Sequence, residues 1–120
     1  MKRILIIEDD KNIQELLRQE LNDEGYAISI AGNGKEALSV LKNKDSQKPD
    51  LIILDLRMPA MDGIETMGHI LKMKNATPVI IHTAYPSYKD DALATAADAF
   101  VVKSHDLTKL KNAIFELIGN

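Results

Sequence analysis

The sequence predicts an α/β fold in which a parallel sheet of five strands carries helices on both faces. Five short, nearly continuous apolar runs recur along the 120 residues. Stretches in which apolar residues have helical spacing separate them, which gives five β-α repeats. Strands covered on both faces read as continuous apolar runs, and β-α alternation requires right-handed crossovers. These observations favour a doubly wound (βα)5 sheet of order 2-1-3-4-5, the flavodoxin-like arrangement.

The elements follow in order along the chain. The predicted strands are 3–7, 26–31, 51–54, 78–82 and 99–102. Four helices are predicted from i, i+3, i+4 spacing, with apolar positions Ile13, Leu16, Leu17 and Leu21, then Ala37, Leu38 and Leu41, then Ile64, Met67 and Leu71, then Leu107, Leu110, Ile114 and Leu117. The alanine-rich stretch DDALATAADA supplies the remaining helix, fourth in order, although its apolar face is weakly defined.

Composition restricts the classes of protein. With 120 residues, 45% of them hydrophobic, the chain forms one domain, 1–120, with a sizeable core. It has no cysteine, which excludes disulfides and thiolate metal sites and favours the cytoplasm. The apolar run near the N-terminus is too short for a signal peptide, and no stretch is long enough to span a membrane, so we expect no membrane partner. The net charge of −3 disfavours direct binding of nucleic acid.

Charged and polar residues follow the predicted strands at their carboxyl ends, where the ligand crevice of an open α/β sheet lies. They are Glu8, Asp9 and Asp10 after the first strand, Asp55 after the third, Thr83 after the fourth and Lys103 after the fifth. Two carboxylates about 4 Å apart repel by roughly 4 kcal/mol at an effective dielectric constant of 20. A hard cation such as Mg²⁺, which binds one or two carboxylates and leaves room for phosphate oxygens, would offset this repulsion.

Each of these residues also has an ordinary structural explanation. Asp10 alone is better explained as the N-cap of the first helix than as a metal ligand, and Asp62 is a plausible cap for the third helix. A single lysine or threonine at a strand end is ordinarily structural or solvated. Their coincidence at neighbouring strand ends nevertheless favours a functional site. The residues favoured in this way are Asp9, Asp55, Thr83 and Lys103.

Five segments in order resemble the receiver domain of response regulators in two-component signalling. They are ILIIEDD, AGNGKEAL, LIILDLRMPAMDGIE, HTAY and FVVKS. Each is modest evidence alone, but the ordered set is specific and covers essentially the whole chain. The resemblance implies a single-domain, chemotaxis-regulator-like protein. It would take a phosphoryl group from a histidine kinase or a histidine phosphotransfer protein and lose it by self-dephosphorylation, rather than act as a conventional turnover enzyme.

The resemblance also assigns the metal site and the acceptor. It makes Asp55 the phosphoacceptor and Asp9 a direct ligand of Mg²⁺, for which Mn²⁺ can substitute. Glu8 binds the ion through water, Asp55 also contributes to the metal site, and the backbone carbonyl of Arg57 completes it. The side chains of Arg57 and Tyr85 flank the approach to the phosphoryl group and are expected to tune its lifetime.

The switch residues are assigned in the same way. Lys103 resembles the lysine that contacts the phosphoryl group, Thr83 the switch hydroxyl and Phe100 the switch aromatic, although Phe100 is equally well explained as a core aromatic. The resemblance implies that the face of the fourth helix, fifth strand and fifth helix controls a downstream protein. We expect a monomer, with dimerisation on phosphorylation as an alternative, and the chain is either a stand-alone receiver or a fragment of a longer regulator or hybrid kinase.

Two positions depart from the family. Ser104 follows Lys103 where the family usually has a proline, often after a cis peptide bond. A cis bond without proline costs ~2.5 to 4 kcal/mol, so this bond is either trans or held cis by its surroundings. Ala96 stands where the family often has a glycine at the end of the fourth helix, so we expect a different turn into the fifth strand.

Functions of other classes stay open at this point. A flavodoxin-like FMN module would share the topology, but the acids after the first strand would repel the FMN phosphate. An aspartyl phosphatase of the haloacid dehalogenase type needs a second aspartate two residues after the nucleophile, where this chain has Arg57. A purely structural module would have no reason to gather these charges. His69, His82 and His105 have no metal-ligand spacing and are expected to have no special role; for His82, which precedes the switch threonine, tuning of the site is the alternative.

Overall fold

Five parallel strands form the sheet of the computed structural model, which describes residues 1–56, 62–73 and 76–119. The strands are β1 (Arg3–Ile7), β2 (Ala27–Ala31), β3 (Leu51–Leu54), β4 (Val79–Thr83) and β5 (Ala99–Val102). Their order in the sheet is β2-β1-β3-β4-β5. The predicted fold class and strand order are therefore confirmed, and only β2 and β4 shift by one residue from their predicted bounds.

Among the described residues, three α-helices lie between consecutive strands and a fourth follows β5. They are α1 (Lys11–Asp23), α2 (Gly34–Lys42), α3 (Gly63–Lys72) and α4 (Thr108–Ile118). The Asp10 side chain accepts hydrogen bonds from the backbone N–H groups of Asn12 and Ile13 at the start of α1, and Asp62 accepts one from Glu65 at the start of α3. Both predicted N-caps are thereby confirmed. Among the described residues, no helix combines the length and apolar character needed to cross a membrane.

Alternate strand residues supply two cores, one on each face of the sheet. Ile7, Ile52, Leu54 and Ile81 pack with residues of α2 and α3 on one face. On the other face, strand residues pack with α1 and α4; this core includes Ile4, Ile6, Ile53, Ile80, Leu17, Leu21, Leu110 and Ile114. Because both faces are covered, every residue of β3 is buried. The tip of this central strand is therefore held rigidly.

The prediction of an α-helix between β4 and β5 is wrong. The segment between β4 and β5 contains instead two short 3₁₀ helices, Pro86–Asp90 and Ala94–Ala96. They are separated at Asp91, whose side chain accepts hydrogen bonds from the N–H groups of Leu93 and Ala94. Such local bonds compete with the α-helical pattern, and small alanine side chains provide little apolar area to reward a longer helix.

The turn into β5 leads from Ala96, the last residue of the second 3₁₀ helix, directly into extended backbone. Ala97 follows the second 3₁₀ helix with an extended backbone, φ −70° and ψ 157°. This conformation is open to any residue, so the turn has no need for a glycine. The face predicted from the fourth helix, fifth strand and fifth helix thus consists here of the two 3₁₀ helices, β5 and α4.

Candidate functional site

The acidic residues at the ends of β1 and β3 are held side by side by the sheet itself. Ile7 of β1 is paired with Leu54 of β3, and the backbone N–H of Asp55 donates to the carbonyl of Ile7 at 3.0 Å. On the other side of β1, the N–H of Glu8 donates to the carbonyl of Ala31 at 3.1 Å. The parallel ladder therefore continues one residue beyond the apolar runs and fixes the two acids.

Three carboxylates converge at this point. Glu8, Asp9 and Asp55 each contribute one oxygen atom to a group in which all the atoms lie within 4.8 Å of one another. Glu8 and Asp55 are buried, with 2% and 5% of their surfaces exposed, whereas Asp9 is exposed. A set of hard oxygen donors that opens to solvent on one side fits Mg²⁺ or Mn²⁺, both of which favour carboxylate and water ligands.

Lys103 places its ammonium group between the two buried acids. Its Nζ lies 2.7 Å from Glu8 Oε1 and 3.3 Å from Asp55 Oδ2. The backbone N–H of Lys103 donates to the carbonyl of Thr83 at 2.7 Å, which ties the end of β5 to β4. No peptide bond among the described residues is cis, so Lys103 reaches both acids with a trans bond to Ser104.

Burial and charge change the proton affinity of this pair. Burial raises the pKa of the Glu8 carboxyl to about 7; the nearby charge of Asp55 also raises it, while the hydrogen bond from Lys103 lowers it. Burial by itself lowers the pKa of Lys103, but the hydrogen bond to Glu8 and the charge of Asp55 outweigh it, so the pKa is raised above its ordinary value. Lys103 is therefore a permanent cation of the site at neutral pH.

Thr83 and Tyr85 lie at the neighbouring end of β4. Thr83 is fully buried, and its Oγ1 accepts a hydrogen bond from the backbone N–H of Tyr85 at 3.2 Å. Tyr85 is 43% exposed, and its ring meets that of Tyr88 edge to face with centroids 6.4 Å apart. The Thr83 hydroxyl is an acceptor in the bond from Tyr85, so its own proton is available for donation elsewhere.

For two of the predicted site residues, Phe100 and Arg57, the predicted role stays untested. Phe100 is half-buried and packs against the core on the face of α2 and α3, which is the position expected of a core aromatic, and its switch role stays a prediction. Arg57 falls outside the described residues, so its carbonyl as a metal ligand and its side chain as a determinant of lifetime also stay predictions.

Gly63 is a site residue that the sequence reasoning missed. It is the first residue of α3, and its N–H donates to the carbonyl of Leu56 at 2.8 Å. A Cβ atom at this position would overlap the carbonyl oxygen of Asp55 and the Cα of Leu56. Only glycine lets the start of α3 pack directly on the backbone that carries Asp55. The signal in the sequence was a glycine immediately after the helix cap Asp62.

His82 differs from the expectation that it has no special environment. It precedes Thr83 and is only 4% exposed. Burial, together with the charge of Lys103, lowers its pKa to about 4. His82 and Lys103 line a groove of about 560 Å³ whose apolar wall is formed by Ile13, Leu16 and Leu17 of α1. Lys103, which lines this groove and contacts Glu8 and Asp55, links it to the carboxylate group.

Known proteins are similar to this chain in both sequence and fold. The family model described as the response regulator receiver domain matches residues 4–115. The response regulator MprA of Mycolicibacterium vanbaalenii is 33% identical over 110 residues, which are 90% of this chain and 46% of that protein. The transcriptional regulatory protein GlrR of Escherichia coli is 39% identical over 113 residues, 92% of this chain and 25% of that protein. The chain thus spans less than half the length of these two relatives.

A solved structure is similar over its entire length. The response regulator TrrA of Thermotoga maritima, in complex with Mg²⁺ and BeF, superposes with a TM-score of 0.90 at 46% identity, covering 98% of this chain and 100% of that one. The same protein in complex with the histidine kinase ThkA has a TM-score of 0.87, covering 98% and 99%. These matches favour receivers over the flavodoxin and phosphatase alternatives. This chain belongs to the family of response regulator receiver domains.

Proposed function

We propose that Asp55 accepts a phosphoryl group from the phosphohistidine of a histidine kinase or a histidine phosphotransfer protein, and that Mg²⁺ assists the transfer. The observation that carries the proposal is the group of Glu8, Asp9 and Asp55 with Lys103 at its side. The cocrystallisation of the similar protein TrrA with Mg²⁺ and BeF, and with the kinase ThkA, supports both the cation and the partner. Mn²⁺ is an alternative cation.

The transfer requires positioning more than covalent help from the protein, because the phosphoryl transition state is loose. A carboxylate oxygen of Asp55 forms a bond to phosphorus, the P–N bond of the donor phosphohistidine breaks, and its electron pair stays on the imidazole. The product is an acyl phosphate. Mg²⁺ supplies charge neutralisation on the phosphoryl oxygens when it is bound. Lys103 adds a fixed cation that already lies 3.3 Å from Asp55.

The donor protein has a surface to approach beside Lys103. The groove of about 560 Å³ that Lys103 and His82 line offers an apolar wall along α1. Leu16 on this wall is 45% exposed. A helical partner with an apolar face could cover it while bringing its phosphohistidine to Asp55. This arrangement would exclude water from the transfer.

The phosphorylated form would signal through a change of surface. The added charge at Asp55 attracts the hydroxyl proton of Thr83, and the movement of Thr83 makes room into which Phe100 turns. The surface of the two 3₁₀ helices, β5 and α4 then differs between the two forms and controls a downstream protein. Driving the population from 1:99 to 99:1 would need roughly 5.5 kcal/mol of differential stabilisation.

Several properties belong to the same proposal. The unmodified protein is a monomer in the cytoplasm, and dimerisation on phosphorylation is the alternative. It acts neither on nucleic acid directly nor on membranes. Self-dephosphorylation resets the signal, and Arg57 and Tyr85 set its rate. The whole of residues 1–120 forms the receiver unit.

Amide NMR during a titration with beryllofluoride, with and without Mg²⁺, tests this function. Beryllofluoride stands in for the phosphoryl group on an aspartate. We expect saturable shifts that require Mg²⁺, centred on Asp55, Thr83 and Lys103 and spreading to Phe100. Asp55→Asn should abolish them while the fold persists, and Asp9→Ala should raise the Mg²⁺ concentration required. An Asp55→Asn variant that is still labelled by acetyl phosphate would exclude Asp55 as the acceptor.

A further inference from the structure

We propose that Gln14 is a positioning residue of the metal site and that it fixes the orientation of Asp9. The inference rests on the proposed function, because it concerns the affinity of the carboxylate group for Mg²⁺. Gln14 lies on α1, outside the group of carboxylates, and has no charge of its own. Its effect would therefore act through the backbone of the segment that carries Asp9.

Asp9 needs such support because no regular element holds it. It lies between the end of β1 at Ile7 and the start of α1 at Lys11, and its side chain is exposed. The direction of that side chain depends on the two peptide groups that flank its Cα atom. One contains the carbonyl of Glu8, and the other contains the N–H of Asp10. A site that uses Asp9 as a ligand must restrain both groups.

The structure restrains both with side chains. Gln14 Nε2 donates to the backbone carbonyl of Glu8 at 2.6 Å, which fixes the peptide before Asp9. The carboxylate Oε2 of Glu8 accepts a hydrogen bond from the N–H of Asp10 at 3.1 Å, which fixes the peptide after it. Glu8 belongs to the carboxylate group itself, whereas Gln14 contributes only the restraint.

Two further observations locate Gln14 in the fold. Its backbone N–H donates to the carbonyl of Asp10 at 2.9 Å, so it belongs to the first turns of a capped helix. Its amide nitrogen also lies 4.0 Å from the point where a Cβ atom on Gly32 would stand. The half-buried side chain thus reaches from α1 to the end of β1 and lies near the turn that follows β2.

This restraint matters because Mg²⁺ demands near-ideal octahedral geometry at short distances. A ligand carboxylate that can swing away loses affinity even though its charge is retained. Loss of a partner that orients a metal ligand typically costs 10–100-fold in metal affinity. We therefore expect the dissociation constant of Mg²⁺ to rise about tenfold when the donor at Gln14 is removed.

Two variants remove the donor in different ways. Gln14→Met keeps the length of the side chain without the N–H group. Gln14→Glu keeps its shape but adds a negative charge, which by attraction alone would tighten Mg²⁺ binding. Gln19→Met is the matched control, since Gln19 is an exposed residue of the same helix. Mg²⁺ dissociation constants from amide NMR titrations, and hydrogen exchange at the Asp10 amide, are measured for each protein and the wild type.

Weaker Mg²⁺ binding in both Gln14 variants, with faster exchange at Asp10 and with Gln19→Met equal to the wild type, would support the inference. Wild-type Mg²⁺ affinity in Gln14→Met, the variant that removes the donor without adding a charge, would overturn it. A wild-type protein that binds Mg²⁺ and reacts with beryllofluoride, with no effect of either variant, would overturn the positioning role and leave the proposed function intact. A wild-type protein that binds no Mg²⁺ would overturn both.

Discussion

The buried imidazole of His82 should make the stability of this protein sensitive to acid. Its imidazole is 4% exposed at the end of β4, and burial with the nearby charge of Lys103 lowers its pKa from 6.5 to about 4. As the pH falls below 6.5, His82 therefore binds a proton in the unfolded chain but stays neutral in the folded state. Stability is lost from that pH downwards until the folded state also binds the proton near pH 4.

The interval between the two pKa values sets the size of the loss. Each pKa unit is worth about 1.4 kcal/mol, so the interval from 6.5 to about 4 corresponds to about 3 kcal/mol in all. About 2 kcal/mol of this would already be lost at pH 5. The raised pKa of Glu8 acts in the opposite direction, since that acid is easier to bury once it is protonated. A comparison between proteins that all contain Glu8 removes this contribution.

Urea unfolding at pH 7 and pH 5, at constant ionic strength and without divalent cations, measures the effect. We expect the wild type to lose about 2 kcal/mol more than His82→Leu between these two pH values. His105→Leu is the control because His105 is exposed, and it should behave as the wild type does. Equal losses in the wild type and in His82→Leu would refute the assignment of a neutral, buried imidazole at position 82.

Three further substitutions test the packing and charge of the site by urea unfolding. Gly63→Ala should lower the free energy of unfolding by about 1–3 kcal/mol or more, because the new Cβ overlaps rigid backbone. Gly68→Ala is the control, since its new Cβ only reaches ordinary contact at 3.7 Å and alanine has the higher helix propensity. Equal effects of the two substitutions would contradict this reasoning. In the absence of Mg²⁺, Lys103→Ala should lower the free energy of unfolding by about 3 kcal/mol, because it leaves buried acids unpaired. Lys109→Ala, at an exposed position, should change it little. Asp10→Ala should cost about 1 kcal/mol as a lost N-cap while retaining Mg²⁺ affinity; a large loss of that affinity would make Asp10 a ligand.

The sheet and the strand-end residues could be predicted because the physics behind them is local. A strand buried on both faces, such as β3, must be apolar at every position, and this pattern stands out in one sequence. A polar residue directly after it, Asp55, must then lie at the strand tip. The N-caps Asp10 and Asp62 could be predicted for the same reason, because a cap accepts hydrogen bonds from backbone groups only two or three residues away.

The features that were missed depend on contacts between distant segments. The stretch DDALATAADA is rich in alanine, which has high helix propensity, but propensity is a weak term when no apolar stripe packs to stabilise the helix. The requirement for glycine at Gly63 arises from its packing on the backbone of Asp55; the sequence shows the glycine after the cap Asp62 but not the contact that requires it. The low pKa of His82 depends on burial and on Lys103, twenty-one residues further along the chain.

The two distances at Lys103 connect the resting site to its phosphorylated form. One ammonium group lies 2.7 Å from Glu8 and 3.3 Å from Asp55, so before phosphorylation it offsets the repulsion between two buried acids. A phosphoryl group on Asp55 would replace the single carboxylate charge at the longer of these contacts by about two negative charges on the phosphoryl oxygens and draw the ammonium towards it. Glu8 would then lose part of its pairing and depend more on a cation, if one is bound at Asp9. Phosphorylation and metal binding should therefore strengthen each other, since by linkage each raises the affinity for the other by the same factor.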